Sequence, residues 1–275
     1  MPWALTTDEN GSAIAEGRAV NRGKYSELKL QAQMLKVAPG YLTTNRDNNQ
    51  TKWAESEGVE IGASLNQNTA YGQFFIARQE DLNSNQTIKY TLNLPTSRGA
   101  FSIPQLGGKL SLHGRDSKIH VTDFDVGGTN VSYSTAEIFT WKQFRGYGYN
   151  VLVVCAGPDE LHEIAMEHIK GKEVELIQGS SLRFQKVAGY VVFQYNTTAE
   201  RQIAQHESGR NSAYNYWVTD LSEASGKGLP PSYGTSLMNS ESLIIKGPYL
   251  SRSARIEDQS IHISADFNCT KSSLR

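Results

Sequence analysis

The sequence predicts an all-β protein whose antiparallel strands form a β-sandwich, and residues 103–144 carry the strongest signal. Within this stretch Ile119 and Val121 alternate with polar residues, which is the period-two pattern of a half-buried strand. Glycine-containing turns recur at intervals of roughly ten residues, a spacing typical of antiparallel sandwiches and barrels. Residues 131–141 are rich in the β-branched and aromatic side chains that suit a pleated surface.

The same patterns predict further strands along the chain, and a polar stretch at 45–58 predicts an exposed loop. The predicted strands are 72–77, 87–94, 109–112, 118–124, 131–141, 151–156, 189–194, 243–246 and 260–268.

Residues 158–169 fit two structures. Leu161, Ile164 and Ala165 lie on one face of a possible helix, and Pro158 suits a first helical turn. The surrounding segments are all β, so we favour a strand.

This segment also holds four potential metal ligands, His162, Glu163, Glu167 and His168. A zinc protease needs His-Glu-x-x-His, which places both histidines on one face of a helix. Six residues of separation turn the two histidines about 120° apart on a helix. Along a strand the same separation places them about 20 Å apart. We therefore interpret these residues as charges on a solvated face, and we expect no metal and no cofactor.

Composition narrows the possible partners and compartments. Charged residues make up 20% of the chain and the net charge is −1, so we expect no nucleic acid partner and no membrane surface. The first residues have neither a basic nor an apolar region, so we expect no secretory signal there.

Cys155 lies in an apolar run and is interpreted as a small buried side chain, whereas Cys269 is expected to be exposed. Six Asn-X-Ser/Thr sequons suit a secreted glycoprotein, and their asparagines are Asn10, Asn49, Asn85, Asn130, Asn196 and Asn268.

Several longer runs carry a family resemblance. They are IPQLGG, LHGRDSKIHVTDF and YSTAEIFTW within 103–141, KYSELKLQAQMLKVAPGYL at 24–42, RNSAYNYWV at 210–218, and SLIIKGPYLSRSARI with ISADFN near the end. In this order they resemble fungal β-galactosidases of glycoside hydrolase family 35, in the region that follows the catalytic barrel.

The resemblance implies a division into three parts. Residues 1–38 would be the end of the catalytic (β/α)8 barrel with a helix at 24–37, residues 39–216 the domain 2 sandwich, and residues 217–275 an incomplete domain 3 sandwich. Tyr25, Leu28, Ala32 and Leu35 recur at helical spacing, and such an apolar face needs a surface to cover. The family also carries a short apolar strand ahead of residue 210. We find no equivalent at 205–209 and expect a neighbouring strand to be unpaired.

The resemblance also implies the activity of the parent enzyme, an extracellular retaining hydrolase of terminal, non-reducing β-D-galactosides. Its catalytic glutamates lie upstream of the matched region, so we nominate no catalytic residue, and β-galactosides would be partners only of the full-length enzyme. None of the carboxylate clusters, at 123–125, 159–160 and 163–167, stands at the end of a barrel strand.

Tyr214, Tyr216 and Trp217 are candidates for sugar contact, because aromatic faces stack on pyranose rings. The alternative is that they fill a core or a seam between domains. The rival functional hypothesis is a stand-alone carbohydrate-binding module.

Overall fold

The computed structural model describes residues 22–47, 53–67, 72–81, 83–144, 149–167, 173–187, 189–198, 202–208, 212–220, 250–257 and 260–266. The chain divides into two compact units. The larger unit is Ala38–Asp220, and the smaller one combines Met1–Val37 with Leu221–Arg275.

The described part of the larger unit opens with a 3-10 helix at Pro39–Thr43 and then consists of strands. In chain order these are β1 (Asn45–Asp47), β2 (Val59–Leu65), β3 (Gln73–Gln79), β4 (Thr87–Tyr90), β5 (Leu92–Thr96), β6 (Gly99–Ile103), β7 (Leu110–His113), β8 (Ser117–Asp125), β9 (Asn130–Ser134), β10 (Glu137–Phe144), β11 (Tyr149–Ala156), β12 (Leu161–Glu167), β13 (Val174–Gln178), β14 (Arg183–Val187), β15 (Tyr190–Asn196), β16 (Gln202–Ser208) and β17 (Ser212–Asp220).

These strands form two main sheets and two small ones. The eight-stranded sheet has the order β1-β2-β3-β8-β9-β12-β15-β14, and all its pairs are antiparallel. The five-stranded sheet has the order β10-β11-β17-β16-β13 and contains one parallel pair, β11 with β17. The small sheets are β4 with β7 and β5 with β6. The all-β fold class and the β-sandwich are therefore confirmed.

One face of the eight-stranded sheet packs on the two small sheets. Buried apolar residues of both layers form one core, comprising Val59, Ile61, Ala63, Phe75, Ala77, Tyr133, Ala165, Tyr190 and Val192 of the large sheet and Tyr90, Leu92, Leu94, Ile103, Leu110 and Leu112 of the small ones. Trp53 belongs to this core, and its ring packs edge-on against the ring of Phe75, with 5.4 Å between the ring centroids. The prediction that 45–58 is an exposed loop is therefore wrong at Trp53, whose bulk helps to close one edge of the core.

The opposite face of the eight-stranded sheet is also buried, and polar ties join it to the five-stranded sheet. Ile119 N on β8 donates to Glu137 Oε1 on β10 at 3.1 Å. Asn150 Nδ2 on β11 donates to Val126 O at 2.7 Å, in the turn between β8 and β9. Gly127 follows with a φ of 61°, and a Cβ there would lie 2.8 Å from Asn150 Nδ2, so the tie requires glycine at this position.

Burial on both faces changes the meaning of the alternating pattern in β8. The sequence predicts a half-buried strand, yet the polar residues Lys118, His120 and Thr122 are buried like Val121, and Ile119 is only partly buried. The prediction of a strand is confirmed, but the expectation of a solvated face is wrong, because the small sheets cover that face.

Other strand predictions hold with corrections. The strand interpretation of 158–169 is confirmed by β12, which pairs with β15 and β9. The predicted strands 87–94 and 131–141 each divide into two strands that belong to different sheets. The expectation of an unpaired strand before residue 210 is wrong, because β16 pairs with both β13 and β17.

The smaller unit contains a helix and a hairpin. Helix α1 (Arg22–Val37) matches the prediction for 24–37, and its Leu28, Ala32 and Leu35 are exposed. Strand β18 (Leu250–Glu257) pairs with β19 (Ser260–Asp266), the described part of the predicted strand 260–268. The predicted strand 243–246 and the side chain of Tyr25 lie outside the described residues. No helix in the described ranges has the length and apolar character needed to cross a membrane.

Candidate functional site

Glu163 on β12 is fully buried and is the centre of a hydrogen-bond network. Its Oε1 accepts from the backbone N–H of Gln105 at 2.5 Å and from the hydroxyl of Tyr133 at 2.6 Å. Its Oε2 accepts from the backbone N–H of Leu106 and from Gln194 Nε2, both at 2.9 Å. Four donors satisfy an ionised carboxylate that burial would otherwise destabilise. Glu163 thereby fixes the loop between β6 and β7 on the sheet.

Gln194 and Arg183 also hold the loop between β6 and β7 by hydrogen bonds. Gln194 Nε2 also donates to Gly107 O at 2.8 Å. Arg183 Nε donates to Gln194 Oε1 at 3.1 Å, and Arg183 Nη2 donates to Leu106 O at 3.3 Å. Burial, with the charge of Glu163, raises the pKa of the Tyr133 hydroxyl, so Tyr133 remains a donor. These contacts hold the loop at its backbone atoms, and Gln105 Nε2 adds a side-chain contact by donating to the Tyr133 hydroxyl at 2.9 Å.

A second buried network is centred on Glu160. Its Oε1 lies 2.7 Å from Lys118 Nζ, and its Oε2 lies 2.9 Å from His162 Nε2 and accepts from Gly157 N at 2.8 Å. Burial raises the pKa of Glu160, but His162 and Lys118 outweigh it and lower the value to about 2. Burial lowers the pKa of Lys118, and Glu160 outweighs it, so the net shift is upward. Lys118 and Glu160 therefore form an ion pair at neutral pH.

His120 lies beside this pair and is neutral. Its Nδ1 is 2.8 Å from Thr135 O, which can only accept, so Nδ1 carries the proton. Nε2 is then the acceptor for the Tyr90 hydroxyl at 2.8 Å. Burial is the largest cause that lowers the pKa of His120, to about 3. Thr135 also accepts from Glu163 N at 2.7 Å, which connects the two networks.

The interpretation of 162–168 as a solvated face is wrong. His162 and Glu163 are buried, because β12 is an interior strand with both faces covered. Glu167 is partly exposed and pairs with Arg98. His168 lies outside the described residues. Within the described ranges, no group of three or more His, Cys, Asp and Glu residues is arranged to hold a metal ion.

The carboxylates that cluster in sequence bind different partners. Asp123 has a φ of 51° and accepts from Ser97 N at 2.7 Å and Ser97 Oγ at 2.8 Å. Asp125 accepts from Gly128 N in the following turn. Glu160 and Glu163 serve separate networks. Each of these carboxylates therefore has a structural role that accounts for its contacts.

The candidates for sugar contact, Tyr214, Tyr216 and Trp217, lie on β17, between β11 and β16 in the five-stranded sheet. Their side chains lie outside the described residues. A pocket of about 420 Å³ that the sequence did not predict opens elsewhere, on the eight-stranded sheet. It is lined by Leu106, Gly107, Gly108, Leu161, Ser181, Arg183, Gln194, Tyr195 and Asn196.

The sequons differ in their surroundings. Asn85 and Asn196 are exposed. Asn130 is half-buried, with Nδ2 directed at Asp123 Oδ1 at 3.4 Å. Asn10, Asn49 and Asn268 lie outside the described residues, as does Cys269. Cys155 on β11 is fully buried, which confirms the interpretation of this residue.

These features define a β-sandwich domain in which the buried charges join loops and sheets to one another. The chain belongs to the family described as beta-galactosidase, domain 2, which matches residues 41–216. Residues 217–273 match beta-galactosidase, domain 3. The predicted resemblance to fungal β-galactosidases is confirmed.

Two fungal relatives show the extent of the match. Beta-galactosidase A from Penicillium sp is 42% identical over 276 residues, and beta-galactosidase A from Aspergillus niger is 41% identical over 280 residues. Each alignment covers 98% of this chain and 27% of the relative. The chain therefore spans about a quarter of the length of these curated relatives.

Removing one partner of the buried ion pair should be strongly destabilising. Lys118→Met leaves Glu160 charged in the interior, and we expect the free energy of unfolding to fall by about 3–5 kcal/mol. Urea denaturation at pH 7 measures this loss. The double variant Lys118→Met/Glu160→Gln removes the uncompensated charge and should recover most of it.

Arg78→Met is the matched control, because Arg78 forms an ion pair with Glu60 at 2.6 Å near the surface. Exposed pairs contribute at most about 1 kcal/mol, so this variant should remain near the parent protein. A similar small loss for Lys118→Met would contradict a buried, ionised pair.

The neutral state of His120 should make the unfolding free energy depend on pH. Its pKa falls from 6.5 to about 3 on folding, so between these values the unfolded chain binds a proton that the folded chain does not. Stability then decreases as the pH falls below 6.5, by at most about 1.4 kcal/mol per pH unit. His120→Gln should reduce this slope between pH 6.5 and 5, as measured by urea denaturation.

Tyr90→Phe is the control for the cause of the shift. It removes the hydroxyl that contacts His120 but leaves the ring in the core, so the slope should persist because burial dominates. If His120→Gln keeps the full slope, His120 takes up its proton without unfolding and the assignment is incorrect.

Proposed function

We propose that this chain is the non-catalytic β-sandwich portion of a β-galactosidase whose full-length form hydrolyses terminal, non-reducing β-D-galactosides with retention. The contacts of Glu160, just before β12, and of Glu163 on β12 carry this proposal. A retaining glycosidase places two carboxyl groups about 5 Å apart across the scissile bond. Glu160 and Glu163 are instead buried and surrounded by protein donors. They support a structural role for this part of the enzyme.

The proposed domain organisation follows the family. Residues 1–38 would end the catalytic barrel, residues 39–216 form domain 2, and residues 217–275 begin domain 3. The compact unit Ala38–Asp220 and the family match at 41–216 support the middle boundaries. The exposed apolar side chains of α1 support the assignment of residues 1–38 to the barrel. A helix with an apolar face gains most of its stability from a surface that it covers.

The parent enzyme is proposed to be extracellular, with galactosides as its substrates and with no nucleic acid partner. The names of the fungal relatives support the substrate class. The near-zero net charge supports the absence of a nucleic acid footprint.

The purified chain should not hydrolyse a chromogenic β-galactoside above a protein-free blank. The physical reason is that Glu160 and Glu163 are bound by protein donors, and that the pocket described above has no Asp or Glu in its lining. Release of the chromophore over several hours at pH 4.5 and at pH 7 measures the activity. Turnover that disappears on replacing any carboxylate of this chain, beginning with Glu160→Gln and Glu163→Gln, would overturn the proposal.

The alternative function, a stand-alone carbohydrate-binding module, is favoured by the pocket beside Arg183, whose volume of about 420 Å³ lies in the range of small-molecule sites. We nevertheless expect galactose and lactose to produce no saturable heat in calorimetric titration. Saturable binding that is lost in Trp217→Ala, with the fold intact by circular dichroism, would place a sugar site on β17. Loss in Arg183→Ala instead would place it in the pocket.

A further inference from the structure

The exposed sequon at Asn196 opens directly onto the pocket of the eight-stranded sheet. Asn196 is the last residue of β15 and one of the residues that line the pocket. The backbone on both sides of its side chain is held in place. Ser181 Oγ donates to Asn196 O at 2.7 Å, and Thr197 N donates to Glu160 O at 2.8 Å. A group attached to Asn196 would therefore project from a fixed position at the pocket.

The lining of the pocket suits a pyranose ring. Leu106 and Leu161 are partly exposed apolar side chains that can contact the C–H face of a sugar. Arg183 is exposed, and Ser181 is partly exposed. Arg183 uses Nε and Nη2 on Gln194 and Leu106, which leaves the N–H groups of Nη1 to donate to a sugar hydroxyl. The Ser181 hydroxyl donates to Asn196 O and can still accept from the sugar.

The two glycines of the lining keep the pocket open. A Cβ on Gly108 would lie 2.4 Å from Leu161 Cδ2, and both Gly107 and Gly108 have a positive φ, of 84° and 91°. Side chains at these positions would strain the backbone or displace Leu161. The Glu163 network fixes this loop from below. The pocket is thus a preformed feature, which lowers the cost of ordering a bound ring.

We propose that Asn196 is N-glycosylated and that the first N-acetylglucosamine of the glycan occupies this pocket. The donor is a lipid-linked diphosphate oligosaccharide of the secretory pathway. The bond between sugar C1 and the diphosphate oxygen breaks, a bond from C1 to Asn196 Nδ2 forms, Nδ2 loses one proton, and the lipid diphosphate leaves. The inference rests on the proposed export of the parent enzyme.

Asn85 and Asn130 provide contrasts within the same domain. Asn85 is exposed, but it does not line the pocket, so a sugar attached to Asn85 is not placed beside it. Asn130 is half-buried, and its Nδ2 points at Asp123. Asn196 combines an exposed amide with an adjacent pocket.

The first test measures occupancy. The chain is secreted from yeast with a fused secretory leader and treated with an endoglycosidase that leaves one N-acetylglucosamine on each modified asparagine. Peptide mass spectrometry should find this sugar on Asn196 in most molecules. It should be absent from Asn196→Gln and from Thr198→Ala.

Thr198→Ser is the matched control, because it preserves the sequon and the hydroxyl that accepts from Gln202 Nε2 at 3.2 Å. This variant should keep the sugar on Asn196. An unmodified Asn196 in secreted protein overturns the inference, whether or not Asn85 is modified. The hydrolysis assay does not depend on this occupancy, so failure of the inference and failure of the proposed function are distinguishable.

The second test measures whether the sugar lies in the pocket. Hydrogen exchange of the loop amides at 107–109 should be at least threefold slower in the trimmed glycoprotein than in Asn196→Gln. Asn85→Gln should leave the exchange of this loop unchanged. Equal exchange rates in the glycoprotein and in Asn196→Gln would show that the sugar does not occupy the pocket. That result would contradict the placement of the sugar but not the glycosylation of Asn196.

Discussion

The buried charges on and beside the central strands of the eight-stranded sheet must be satisfied inside the protein, because both faces of the sheet are covered there. Moving a carboxylate out of water costs several kcal/mol unless donors replace the solvent. Glu163 obtains four donors by recruiting the loop that precedes β7, and Glu160 obtains Lys118 and His162. The position of the loop, and with it the pocket that the loop lines, depends on this requirement.

The same requirement explains why Glu160 and Glu163 do not form a hydrolytic centre. A catalytic carboxylate must transfer a proton to a substrate or attack it, so one of its oxygens must be accessible to the substrate. Glu160 and Glu163 use their oxygens to hold separate parts of the domain together. In this chain, whose relatives are named β-galactosidases, these buried acids are structural.

The sequence predicted strands well and their surroundings poorly. The alternation in β8 and the β-branched run of β9 and β10 are local, so both were recognised. The burial of His120 and Lys118 depends on the small sheets, which a period-two pattern cannot reveal. The donors of Glu163 come from Gln105, 58 positions before it, and Gln194, 31 positions after it, so its network leaves no local signal. The pocket depends on the same distant contacts.

The parallel pairing of β11 with β17 has a consequence for how the domain assembles. Asn150 lies opposite Tyr214, and the intervening chain contains β12 to β16, most of which belong to the other layers. This pairing therefore closes a long loop before its contacts can stabilise it, and such closures slow folding. Strand β17 takes its place between β11 and β16 only after the chain has passed through β12, β14 and β15 of the eight-stranded sheet. The five-stranded sheet can therefore be completed only after these strands of the other main sheet have been passed along the chain.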